Sequence, residues 1–109
     1  MKYLRLKKKR DFQTTLKNGK RIFTSSLTFV YIPSDRTKMA VCVGKKYGKS
    51  VKRNRIKRLL REAFRLQADR LAFPATVLLL PRVAEKYVFA DFKREIAIAI
   101  KRLADVQAR

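Results

Sequence analysis

The sequence contains no histidine and only one cysteine. Without histidine the chain lacks the commonest general base and the commonest metal ligand. A single cysteine excludes an intrachain disulfide and a cysteine-based zinc site. Cys42 lies between Val41 and Val43 in a strand-like run and reads as a small buried hydrophobe. Acidic residues are also scarce: 8 Asp+Glu stand against 29 Lys+Arg, a formal net charge of +21. The acidic residues are Asp11, Asp35, Glu62, Asp69, Glu85, Asp91, Glu95 and Asp105, and none belongs to a D-x-D or similar local pair. A protein site for metal-assisted phosphodiester cleavage clusters carboxylates around its ions, so that chemistry is not expected of this polypeptide. Glu62 and Asp69 could face each other across two helical turns, but amid arginines each reads as the anion of a surface ion pair. No apolar run approaches the ~20 residues that span a bilayer. The run "ATVLLLP" from Ala75 to Pro81 reads as a buried strand. The opening "MKYLRLKKKRDF" lacks the apolar core of a signal peptide. The expectation is a cytoplasmic protein with no membrane partner.

What remains is a basic chain with a real core. Hydrophobic residues make up 47% of 109 positions, enough to bury an interior, and no repeat or linker divides them. One domain over residues 1–109 is expected. "RDFQTTLKNG" predicts a short helix with Phe12, Thr15 and Leu16 on one face, stopped at Asn18-Gly19. "SLTFVYI" and "KMAVCVG" predict strands, with a shorter strand around Lys20 to Phe23. A long helix is predicted from about Val51 to about Leu71, a strand up to Pro81, and a last helix from about Phe89 to about Gln107. Phe92, Ile96, Ala99, Ile100 and Leu103 form the core stripe of that last helix, and Ile98 falls off it. The order α-β-β-β-α-β-α implies an α+β sandwich around one mostly antiparallel sheet.

The stretch "KSVKRNRIKRLLREAFR", from Lys49 to Arg65, carries the functional signal. Ile56, Leu59, Leu60, Ala63 and Phe64 follow the spacing of one buried helical face. Asn54, Arg58, Arg61 and Arg65 fall on the far side of a helical wheel, with Lys57 on the flank. From Lys45 to Arg65 the only carboxylate among the cations is Glu62. A helix needing only solubility mixes its signs, because Glu–Lys pairs one turn apart stabilise it. Cations at a helix start, where free N–H groups already carry partial positive charge, make sense when a phosphate docks there. A balance this lopsided points to nucleic acid. A small ribosomal protein or a DNA-binding domain would share the charge. A membrane-surface helix fits less well, because the sheet needs the apolar face.

"GKKYGKSVKRNRIKRLLREAF" resembles the signature of the bacterial ribonuclease P protein subunit, with Arg53-Asn54-Arg55 as its central triplet. "DFQ" in the first helix, the turn Lys45-Lys46-Tyr47-Gly48 and the element order are similar to the same family. The resemblance implies an α/β sandwich with a left-handed βαβ crossover around the basic helix, against the usual right-handed preference. It implies a subunit whose partner, a large catalytic RNA, removes the 5′ leader of precursor tRNA, the protein alone being inactive. No catalytic residue, metal ligand or side-chain-bound cofactor is expected, Mg²⁺ being used by the RNA-containing holoenzyme. By position, Lys45, Lys46, Lys52, Arg53, Asn54, Arg55, Lys57, Arg58, Arg61 and Arg65 are the implied RNA-binding residues. The implied leader cleft between the first helix and the sheet holds Phe12, Leu16 and, as the candidate from the sheet, Tyr31. Leu16 stands where the family often has a second aromatic. Spacing alone makes Phe12 a core residue as readily as a cleft one.

Overall fold

The sheet is built outward from its most apolar strand. In the computed structural model, which describes residues 3–108 and the side chains of residues 3–105, that strand is β5 (Ala75–Pro81). It is buried nearly throughout, as expected for a continuous apolar run covered on both faces. Strand β3 (Leu27–Pro33) pairs antiparallel along its whole length, from Leu27 opposite Pro81 to Pro33 opposite Ala75. Strand β2 (Lys20–Phe23) pairs antiparallel with β3, and β4 (Lys38–Val41) lies parallel to β5 on its other side. A two-residue strand, β1 (Leu4–Arg5), runs parallel to β4 and completes the order β1-β4-β5-β3-β2.

Helices cover both faces. Alternation along β3 sends Leu27, Phe29 and Tyr31 to one face. There they join Ile56, Leu60 and Phe64 of α2 (Ser50–Arg65) and Phe92, Ile96 and Leu103 of α3 (Phe89–Ala108) in one core. Val30 and Leu78 are fully buried on the opposite face, against which α1 (Lys9–Asn18) packs. The predicted α3 stripe is buried as expected, with Ile98 exposed. The parallel neighbours β4 and β5 are joined through α2, so the basic helix is the crossover of a βαβ unit.

Four expectations change. The sheet is mixed rather than mostly antiparallel, with two parallel and two antiparallel pairings. Strand β1 was not expected; it forms because Tyr3 meets Phe64 edge-on, ring centroids 5.1 Å apart, and draws the N-terminal segment onto β4. Helix α2 ends at Arg65 rather than near Leu71. Gln67, almost fully buried, turns its amide back to the Ala63 carbonyl at 3.0 Å and across to the Lys93 carbonyl of α3 at 2.9 Å. The chain continues as a 3₁₀ turn over Ala68–Arg70. Finally, Gly19 ends α1 in extended backbone, not in the left-handed region. It is glycine because a Cβ there would lie 2.5 Å from the Thr15 carbonyl and 2.8 Å from Val30 Cγ1.

Candidate nucleic-acid interface

The approach to α2 is fixed by one buried aromatic. Lys45–Tyr47 form a 3₁₀ turn in which Tyr47 is buried and its phenol donates to the Pro81 carbonyl at the end of β5. Burial pushes the Tyr47 pKa up, which keeps the phenol a donor. Lys45 and Lys46 are thereby left facing solvent, with Lys46 Nζ 5.4 Å from the Tyr47 ring centroid. Gly48 turns the chain into α2 at φ 116°, a left-handed value that favours glycine. The helix then starts without a side-chain cap and without an acidic residue in its first turn. Its first N–H groups are open to an outside acceptor.

Successive residues on α2 point ~100° apart, so the Arg53-Asn54-Arg55 triplet splits three ways. Arg53 lies on the line of Ile56 and Leu60; it is half-buried, and its Nε is sequestered without a hydrogen-bond partner. Asn54, Arg55 and Arg58 are exposed. Lys57 is half-buried on the flank, as expected. Lys52 is held by the chain before α3, donating to the Ala84 carbonyl at 3.3 Å. Arg65 is exposed but already engaged: its Nε donates to Glu62 Oε2 at 3.0 Å. That hydrogen bond holds the Glu62 carboxyl below its ordinary pKa. On this helix Glu62 pairs with Arg65; Asp69 lies past the helix end, in the 3₁₀ turn.

Arg61 is not on the outer face. It is half-buried and lines a groove of about 510 Å³ together with Tyr3, Arg5, Leu6, Phe12 and residues Met39 to Val41. The structure thus brings Phe12 of α1 and Arg61 of α2 to one groove, at the edge of β4 where β1 stops. Phe12 is half-buried, with part of its ring toward that groove. Tyr3, which also lines the groove, has its pKa raised by burial, against the lowering influence of Arg61 and Arg65.

Two of the proposed cleft residues do not line that groove. Tyr31 is 4% exposed and sits in the core, its ring centroid 6.3 Å from Phe29 and 6.2 Å from Phe73. Enclosed in the core under α2 and α3, its ring does not line the groove that holds Phe12. A one-residue slip of register is enough to exchange the faces. Leu16 is half-buried on α1 but does not line the groove that holds Phe12. Cys42 is partly buried, and desolvation pushes its thiol up to about 11, an unreactive state at neutral pH. Sequence reasoning missed Tyr3 and Arg5 as groove residues, because only the pairing of Leu4 opposite Lys38 places them there.

Comparisons with known proteins agree on one family. The family model described as Ribonuclease P matches residues 1–104. A "Ribonuclease P protein component" of Syntrophus aciditrophicus is 35% identical over 101 residues, covering 90% of this chain and 85% of its own. That of Clostridioides difficile is 36% identical and covers 89% of each. Among solved structures, the RNase P protein from Thermotoga maritima superposes with a TM-score of 0.79 at 26% identity, covering 90% of this chain and 96% of its own.

Proposed function

The chain belongs to the ribonuclease P protein family, and on that footing we propose that the solvent-facing cations of α2 hold the catalytic RNA while the groove beside Phe12 takes the 5′ leader of precursor tRNA. As the protein component it is part of a ribonucleoprotein endoribonuclease that matures tRNA 5′ ends, with the RNA carrying the chemistry. The place of action is the cytoplasm. The observation that supports the division of labour is the convergence of Phe12 and Arg61 on one groove, apart from Asn54, Arg55 and Arg58 on the outside of the helix. An aromatic edge and a guanidinium in one groove suit a single strand, offering a surface for a base and a charge for its phosphate. The uncapped helix start, with Lys45 and Lys46 before it, suits the phosphates of a folded RNA.

Mg²⁺ is assigned to the RNA of the holoenzyme. Three of the chain's carboxylates are committed elsewhere: Glu62 to Arg65, Asp91 to Arg94 at 3.1 Å, and Glu95 to Ser26. The test is reconstitution with the cognate RNA on a leader-bearing precursor. Cleavage at low Mg²⁺ is expected only when both components are present. Efficient cleavage by rigorously RNA-free protein would overturn the assignment of chemistry to the RNA.

A further inference from the structure

Between β5 and α3 the chain over residues 82–88 folds back toward the start of α2. Its shape is set by Tyr87, whose phenol donates to the Arg82 carbonyl at 2.9 Å and accepts the Ala84 N–H at 2.8 Å. The Tyr87 ring stacks on Phe92, centroids 5.8 Å apart and planes 27° from parallel. Lys52 Nζ lies 5.8 Å from the centroid of the same ring and donates to the Ala84 carbonyl. Between this segment and α2 lies a groove of about 320 Å³ lined by Lys52, Arg55, Ile56, Glu85, Lys86, Tyr87 and Val88. Lys52, Arg55 and Lys86 face a single carboxylate there, and among the described residues Arg55 and Lys86 make no ion pair.

We propose that this groove is a second phosphate site for the catalytic RNA, in which Lys86 and the 82–88 segment form a wall opposite Lys52 and Arg55. The inference rests on the RNA-binding reading given above and extends it beyond α2. Three cations around one groove repel one another in the free protein, and an anion seated between them relieves that repulsion. The segment is already ordered by its own hydrogen bonds, so little conformational freedom is lost when RNA docks. Tyr87 is committed to Phe92, Lys52 and two hydrogen bonds, so its ring and phenol are not offered to a base. Three cations suit backbone phosphate, a contact that carries no sequence information.

The test compares Lys86→Ala with Arg58→Ala, a change on the outer face of α2, by titrating the catalytic RNA across a range of salt concentrations. Lys86 is exposed, so the variant keeps its fold, which circular dichroism checks. Each lost phosphate contact flattens the slope of log affinity against log salt by about 0.7–0.9. Both variants are expected to show that change, and Lys86→Ala to weaken RNA binding equally for RNAs differing in sequence at the protected phosphates. If Arg58→Ala flattens the slope and Lys86→Ala does not, the second site is wrong and the α2 reading stands. If neither flattens it, both are wrong. If Lys86→Ala instead weakens only leader-bearing precursor, leaving the catalytic RNA unaffected, the groove belongs to the substrate and the proposal is overturned.

Discussion

Phe12→Ala separates core from cleft at the position where the sequence leaves the two open. The ring is half-buried and lines the groove shared with Arg61. Removing a fully buried Phe costs ~3–5 kcal/mol, so about half of that, ~1.5–2.5 kcal/mol, is expected here from lost packing alone. At ~4–8 °C per kcal/mol for a domain near this size, Tm should fall by about 6–20 °C. If the exposed part of the ring also stacks on a leader base, a further ~1–3 kcal/mol disappears from binding of leader-bearing precursor. That is about 5- to 150-fold in Kd. Phe12→Leu supplies the control: it keeps most of the apolar volume, at a stability cost of less than about 1.5 kcal/mol, but has no aromatic face. The assay is binding of reconstituted holoenzyme to precursor tRNA and to mature tRNA, paired with thermal melting of the protein. Phe12→Leu should bind mature tRNA as the unmodified protein does and lose affinity for precursor. Normal precursor binding by Phe12→Leu, with equal losses for both RNAs in Phe12→Ala, would make the residue a packing element only.

Three other outcomes follow from the same geometry. If about five phosphates contact the α2 surface, the log-affinity slope for the catalytic RNA should be near −3 to −4 on the single-strand scale, and an affinity indifferent to salt would remove phosphate docking from the account. Tyr47→Phe removes the donor to the buried Pro81 carbonyl and should cost about 1–2 kcal/mol, read as a lower denaturant midpoint at unchanged m. Glu95 is 3% exposed; burial pushes its carboxyl up, but hydrogen bonds from the Ser26 side chain and backbone, then from Thr24, outweigh burial and hold its pKa below the ordinary 4.5. Its contribution is therefore present above pH 4.5 and lost as pH falls through the lower folded value, so Glu95→Gln should melt lower at neutral pH and lose less stability on acidification, as melting against pH would show.

Much of this molecule is legible in local patterns. The spacing of Ile56, Leu60, Ala63 and Phe64 describes the buried side of α2, and that of Phe92, Ile96, Ala99, Ile100 and Leu103 the buried side of α3. Both are properties of a 3.6-residue repeat and need no knowledge of the partner. The imbalance of charge around Arg53-Asn54-Arg55 likewise requires only composition and order. The resemblance of that stretch to a family was readable for the same reason.

Other features depend on residues far apart in the chain. The periodic pattern of α2 runs on through Ala68 and Leu71, yet the helix stops because Gln67 finds the Lys93 carbonyl of α3. Alternation in β3 separates Tyr31 from Val30, but only the helix packed against each face says that Tyr31 is interior. Glu95 reads as one more scattered acid until α3 is laid beside the turn that holds Ser26. Periodicity reports the geometry of a single element; it carries no information on which element lies opposite. The sequence by itself determined a basic helix with one apolar side, the order of elements from α1 onward and the class of partner. The tertiary structure alone decided that Arg53 turns inward, that Phe12 and Arg61 share a groove, and that residues 82–88 stand beside Lys52 and Arg55, because pairings such as Leu4 with Lys38 and Lys52 with Ala84 arise only when distant segments pack together.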